Sequence, residues 1–226
     1  MKLTNIIRRI RQHGLWRCVR WSMFRANDRW LEWRLGITTS RMIHWRDLGL
    51  TNDSESYEPI DYGTFACVAD RIPIRPNDVF LDYGCGMGRV IVLAAQKPFR
   101  RVIGVELSPW LCGIAENNLQ IVQRRLICKS VHVVNMDASE FPVPTDVSVV
   151  WLFSPFFGEV MRKVTSQIRE SLEISPREIT IIHIIPDNVS SLFVECGWLE
   201  LTAEFQVGVW KQLTCFVFKN IDCLHV

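Results

Sequence analysis

The chain has 226 residues, of which 48% are hydrophobic, 22% charged and 11% aromatic. That much apolar matter can bury a sizeable core, which excludes a disordered tail, a disulfide miniprotein and the collagen-like or low-complexity classes. No apolar run approaches the roughly 20 residues needed to span a bilayer. The formal charge of +2 hides an asymmetry: residues 1–50 hold 11 Lys/Arg against 3 Asp/Glu, whereas the other 176 hold 15 against 21.

Residues 1–50 contain no proline and five of the nine tryptophans. Leu3, Ile6, Ile7 and Ile10 follow the spacing of one helical face, with Arg8, Arg9 and Arg11 opposite and Trp16, Trp21, Trp30, Trp33 and Trp45 beyond them. This predicts a basic, Trp-rich helical extension and linker over 1–56, closing in the polar run Thr51–Ser56, and a separate domain over 57–226. The extension reads either as helices packed over that domain or as a weak, salt-sensitive contact with an anionic membrane surface or RNA.

The eight cysteines (18, 67, 85, 112, 128, 196, 215 and 223) form no C-x-x-C pair and have no histidine at ligand spacing, so no metal site is expected. Without a secretory n-region and h-region at the start, they read as reduced thiols of a cytoplasmic protein, with peripheral membrane attachment as an option. A transit peptide fits less well, because the basic start is poor in serine and runs on into Trp-rich sequence.

From Arg71 onward, short β-branched runs alternate with helix-length segments. Strands are expected near 78–82, 102–106, 131–135, 147–152 and 179–185, and helices near 88–97, 109–123 and 158–173, with a shorter one near 188–196. Ser108 is placed to cap the second helix and Pro109 suits its first turn. Leu199–Val209 and Gln212–Lys219 read as a terminal antiparallel pair. The fold class is therefore α/β: a Rossmann-like, mostly parallel sheet with a terminal antiparallel hairpin, helices on both faces and an N-terminal helical extension.

The most informative run is Val79-Phe-Leu-Asp-Tyr-Gly-Cys-Gly-Met-Gly-Arg-Val90. A buried strand ends in Asp82 and turns through Gly84, Gly86 and Gly88 into a helix, so that a ligand can approach the main chain without meeting a Cβ. A dinucleotide fingerprint needs its third glycine at position 89, where Arg89 stands, and the GKS/T ending of a triphosphate loop is missing. Glu106 closes the next strand, 22 residues after Gly84, where an acid can accept hydrogen bonds from both hydroxyls of a ribose. The third strand runs into Met136-Asp137-Ala138, where a carboxylate can accept from an adenine amino group. Three strand ends thus converge on one crevice.

The ordered set D-x-G-C-G-x-G, G-V-E-L-S and M-D-A over about residues 76–157 resembles class I S-adenosylmethionine-dependent methyltransferases, with a more distant resemblance to Dot1-like enzymes through Asp82–Val90 and Gly104–Glu106. The resemblance implies S-adenosyl-L-methionine as cofactor. Its site would be Asp82, Gly84, Cys85, Gly86, Gly88, Glu106, Leu107, Asp137 and Ala138, with the loop at the methionine portion, Asp82 supporting the ammonium group and Asp137 beside the adenine. Cys85 needs no catalytic role.

The fourth strand leads into Ser154-Pro-Phe156, which resembles the N/D-P-P-F/Y motif of N-methyltransferases, with Ser154 in place of Asn or Asp. Ser154, Pro155 and Phe156 are thus the acceptor-side candidates. Tyr57 and Tyr62 resemble the tyrosine-bearing segment that closes over the cofactor in lysine methyltransferases. The expected activity is methyl transfer to an unidentified acceptor, a nitrogen on a protein or small molecule. The alternatives are a non-catalytic cofactor sensor or interaction protein and an NAD-type oxidoreductase. His183 and His132 read as core histidines and Asp187 as a helix N-cap.

Overall fold

The protein is described here from a computed structural model that covers residues 14–41, 58–153, 156, 158–187, 189–208 and 212–221. Five α-helices lie among them: α1 (Leu15–Leu35), α2 (Tyr62–Ala69), α3 (Arg89–Ala95), α4 (Pro109–Val122) and α5 (Gly158–Ile174). The strands are β1 (Val79–Tyr83), β2 (Arg101–Glu106), β3 (Val131–Asn135), β4 (Val149–Phe153), β5 (Thr180–Pro186), β6 (Leu199–Val207) and β7 (Leu213–Asn220). They form one seven-stranded sheet in the order β3-β2-β1-β4-β5-β7-β6. The first five strands pair in parallel, and β7 runs antiparallel to both β5 and β6.

The near-continuous apolar runs of β1, β4 and β5 are what a strand covered on both faces requires. Alternate residues supply two cores. Phe80, Val102, Trp151 and Ile182 pack on one face with α3, whereas Leu81, Ile103, Val150 and Ile181 pack on the other with Met161, Val164 and Ile168 of α5. Ser108 caps α4 by accepting from the Leu111 amide, with Pro109 in the first turn. The strand order reverses between β1 and β4, so a crevice opens at their carboxyl ends, the usual ligand site of an open α/β sheet.

Two local expectations change. The short helix near 188–196 is a single 3-10 turn, Leu192–Glu195, capped by Ser191; Asp187 caps nothing there and instead accepts from the Thr214 hydroxyl at 2.8 Å. The terminal antiparallel pair is present as expected: β7, buried over most of its length, lies between β5 and β6, and β6, largely exposed, takes the edge. His132 is exposed on the edge strand β3, its Nε2 3.1 Å from the Ser130 hydroxyl.

His183, by contrast, is buried in β5, with Nδ1 2.8 Å from the Ser191 hydroxyl and its ring edge-on to Phe193 at 5.4 Å. Burial pulls its pKa from 6.5 down to about 4. The unfolded chain therefore binds a proton between about pH 6.5 and pH 4 that the native chain refuses, and stability falls as the pH drops through that window. Urea titrations at pH 7 and pH 5 are expected to differ by about 2 kcal/mol from this residue alone. In His183→Gln that component is absent; an unaltered pH dependence in the variant would contradict the assignment.

Candidate cofactor site

The site is built on the carboxyl ends of β1 and β2. Asp82 lies opposite Gly104 in the β1–β2 register, and the chain then turns through Gly84, Gly86 and Gly88, whose φ values are 76°, 55° and 84°. Gly88 is held to glycine twice over: its φ is positive, and a Cβ would come within 3.0 Å of Ala115 Cβ on α4. The turn is fastened to β2 by the amides of Gly84 and Cys85, which donate to the Val105 carbonyl at 2.8 and 3.0 Å.

Glu106 is clamped by main chain. Its Oε2 accepts from the Gly86 amide at 3.0 Å and its Oε1 from the Ser108 amide at 2.9 Å. Burial raises its pKa, against the pull of these amides and of the Leu107 amide. Each carboxylate oxygen retains acceptor capacity beyond the one amide that holds it.

Asp82 is in the opposite situation. It is 3% exposed, and its Oδ2 has no hydrogen-bond partner among the described residues. Burial first, and the Glu106 charge second, push its carboxyl well above the usual range. Trp151 stands beside it in the β1–β4 register, and its indole nitrogen is likewise buried and unpartnered among the described residues. Buried polar groups are normally satisfied, so these two unpartnered atoms on neighbouring strands are available to a polar group of a ligand. Trp151 escaped the sequence reading because an aromatic residue within an apolar strand carries no signal of its own.

The remaining expected residues are placed as follows. Cys85 is buried with its Sγ packed on Gly104, and burial holds its pKa well above the usual thiol value, so it stays protonated. A Cβ at Gly104 would meet Cys85 Sγ at 2.7 Å. Gly104→Ala is expected to cost about 1–3 kcal/mol in a denaturation experiment and to shift the loop; a variant as stable as the parent would contradict this packing.

Asn135 ties the ends of β2 and β3 together by donating to the carbonyls of Glu106 and Leu107 at 3.0 and 2.8 Å. The Leu107 side chain is exposed, Asp137 accepts from the Ser139 amide at 2.7 Å, and Ala138 begins a 3-10 turn. Phe156 is buried edge-on to Tyr83, with ring centres 6.2 Å apart. Tyr57, Ser154 and Pro155 lie outside the described residues.

Arg89, which the sequence marked only as a missing glycine, is the centre of a buried cluster at the start of α3. Its guanidinium pairs with Asp28 at 2.9 Å and Glu32 at 3.1 Å, both on α1. It also donates to the Thr39 and Ser40 hydroxyls and the Ile60 carbonyl, and lies 4.5 Å from the centre of the Tyr62 ring. Asn118 adds a second tie, donating to the Met87 and Thr38 carbonyls at 2.9 Å. The first turn of the core after the glycine loop is thereby joined to the extension and to Tyr62.

A seven-stranded sheet with one reversed strand, a glycine turn at its switch point and an acid clamped at the next strand end make up the arrangement that nucleoside-binding α/β folds use. Residues 80–174 match the family model of a methyltransferase domain. The fold is similar to that of an RNA methyltransferase from Salinibacter ruber, solved with S-adenosyl-L-homocysteine: TM-score 0.54, 18% identity, 72% of this chain and 93% of that one. A putative methyltransferase from Escherichia coli gives a TM-score of 0.57 at 15% identity, over 73% of this chain and 88% of that one. A shorter likeness, 41% over 59 residues, links 26% of this chain to 3% of a Dictyostelium discoideum histone-lysine N-methyltransferase specific for lysine 79 of H3. The chain thus spans only a small fraction of that curated relative.

Residues 80–174 thus resemble a methyltransferase domain on a fold shared with solved methyltransferases, and the cofactor expected from the sequence is S-adenosylmethionine. The residues present fit that group. An unpartnered buried carboxylate oxygen at Asp82 suits a cation, and the clamped carboxylate at Glu106 suits a diol.

Proposed function

We infer that the whole chain is an S-adenosylmethionine-dependent methyltransferase whose acceptor is a nitrogen on a protein or small molecule. The observation that carries this is the pairing of an orphaned Asp82 with an amide-clamped Glu106 on neighbouring strands flanking a glycine turn. When bound, the cofactor supplies a methyl group already activated by its sulfonium. Asp82 holds the ammonium group, and an adjacent cation brings its raised pKa back down. Glu106 holds the ribose hydroxyls, Gly84, Cys85, Gly86 and Gly88 supply the main-chain cradle, and Leu107, Asp137 and Ala138 border the adenine. The Trp151 indole N–H is an added donor at the methionine end.

By the resemblance in their sequence, we assign Ser154, Pro155 and Phe156, which follow β4 in the chain, to the acceptor side, and Tyr57 and Tyr62 to closure over the cofactor. Seating the acceptor and excluding water then supply most of the catalysis, and a base is needed only for a protonated acceptor. The acceptor nitrogen is supported by the Ser-Pro-Phe segment and by the 59-residue likeness to a lysine methyltransferase. A cytoplasmic setting is supported by the free state of the six described cysteines. Incubating cell extract with labelled methyl donor tests the activity: a labelled product made by the parent and not by Glu106→Ala is expected. Saturable donor binding with no product from any extract would overturn methyl transfer in favour of a sensor.

A further inference from the structure

The helix α1 is amphipathic in an unusual sense, with its acids turned inward. Asp28 and Glu32, two of the three acids in residues 1–50, are taken up by Arg89 on the core side. On the opposite side Trp16, Val19, Met23, Ala26, Trp30 and Trp33 recur at alternating steps of three and four, which lays them along one stripe. All six are exposed, Trp16 by 81%, Met23 by 66% and Trp33 by 78%. At the helical rise of about 1.5 Å per residue the stripe is about 25 Å long. Arg25 and Arg29 border it on one side and Arg34 on the other.

The surface continues onto the core. Arg125 donates to the Arg34 carbonyl at 2.7 Å, and Ile121 lies against Gly36. Around that junction Ile121 and Ile127 are exposed by 48% and 62%, interleaved with exposed Arg124, Arg125 and Lys129. Exposed apolar residues forming a contiguous band mark an interaction surface, whereas scattered ones do not.

We propose that this band is a docking surface for an anionic lipid bilayer, with α1 lying in the headgroup layer. Charge decides among occupants. A second copy of the chain would bring arginine against arginine, since both acids of α1 are spent on Arg89. A single-stranded RNA would use the arginines and tryptophans but leave Val19, Met23 and Ala26 without a base to stack on. A headgroup layer takes both parts: indoles and aliphatic side chains enter the boundary, and guanidinium groups remain at the lipid phosphates.

The test uses the full chain, sedimented with vesicles of phosphatidylcholine alone or mixed with phosphatidylserine. Binding to the mixed vesicles is expected to exceed that to phosphatidylcholine by about tenfold or more and to fall with salt. Trp16→Ser with Trp33→Ser, and separately Arg29→Gln with Arg34→Gln, are each expected to weaken it about tenfold or more while thermal stability and S-adenosylhomocysteine binding stay at the parent values. The retained cofactor binding separates failure of this surface from failure of the cofactor site. Equal binding to both vesicle types, or full binding by both double variants, would overturn the proposal. So would a concentration-dependent dimer abolished by the tryptophan changes, or saturation of the band by polyuridine at physiological salt without vesicle binding.

Discussion

Arg89→Met is expected to destabilise the protein by about 3–5 kcal/mol, because it removes the cation that pairs with both Asp28 and Glu32 inside the fold. The side chain is 3% exposed, and Glu32, itself buried, already accepts from the Thr39 amide and hydroxyl at 2.6 and 2.5 Å. Burial raises the pKa of Asp28 even with Arg89 in place, so that carboxylate is poorly solvated and depends on the guanidinium. For a chain of this size the loss corresponds to roughly 6–20 °C in Tm. Adding Asp28→Asn and Glu32→Gln to Arg89→Met is expected to recover part of the loss, since the three groups act as a unit. A single variant that unfolds within about 1 kcal/mol of the parent would show that the extension is not held through this cluster. Limited proteolysis gives the spatial readout: cleavage within residues 15–41 is expected to accelerate before cleavage in the sheet.

Glu106→Gln is the second large effect, and its chemistry is less conservative than its shape. Both carboxylate oxygens receive main-chain N–H groups, from Gly86 and Ser108. An amide side chain must present its own NH2 to one of these two donors, which leaves that donor unpaired and turns the side chain away from the ligand. In the proposed site the variant also weakens the charge-assisted bonds that Glu106 would accept from the ribose hydroxyls. Together these are expected to weaken S-adenosylhomocysteine binding by about 100-fold or more, read by calorimetry. A loss of less than about fivefold would remove Glu106 from the ribose role.

Much of the sheet was legible because parallel strands covered on both faces must be largely apolar, and β1, β2, β4 and β5 are so apart from Asp82, Arg101, Glu106, Thr180 and His183. The glycine turn was legible for a different reason: close main-chain approach at Gly88 leaves no room for a side chain. The start of α4 was readable from Ser108 and Pro109 alone. What escaped is long-range. Arg89 reads locally as a departure from a glycine fingerprint, and its meaning depends on Asp28 and Glu32, 61 and 57 residues upstream. The inward turn of those acids also changes the sense of the basic extension, since net charge along a segment does not say which face the charge occupies. The insertion of β7 between β5 and β6 likewise rests on pairing between distant strands, which local alternation does not encode. Trp151 and Asp82 are recognisable as a site only once their neighbours are known and found not to satisfy them.

The central claim is that the ends of β1 and β2 form a site for an adenosyl sulfonium. Titration calorimetry of the unaltered full chain with S-adenosylhomocysteine and, side by side, with NAD tests it most directly. One saturable site per chain for S-adenosylhomocysteine and no heat with NAD is the predicted result. Folded protein that gives no heat with S-adenosylhomocysteine, or that binds NAD in its place, would contradict the account.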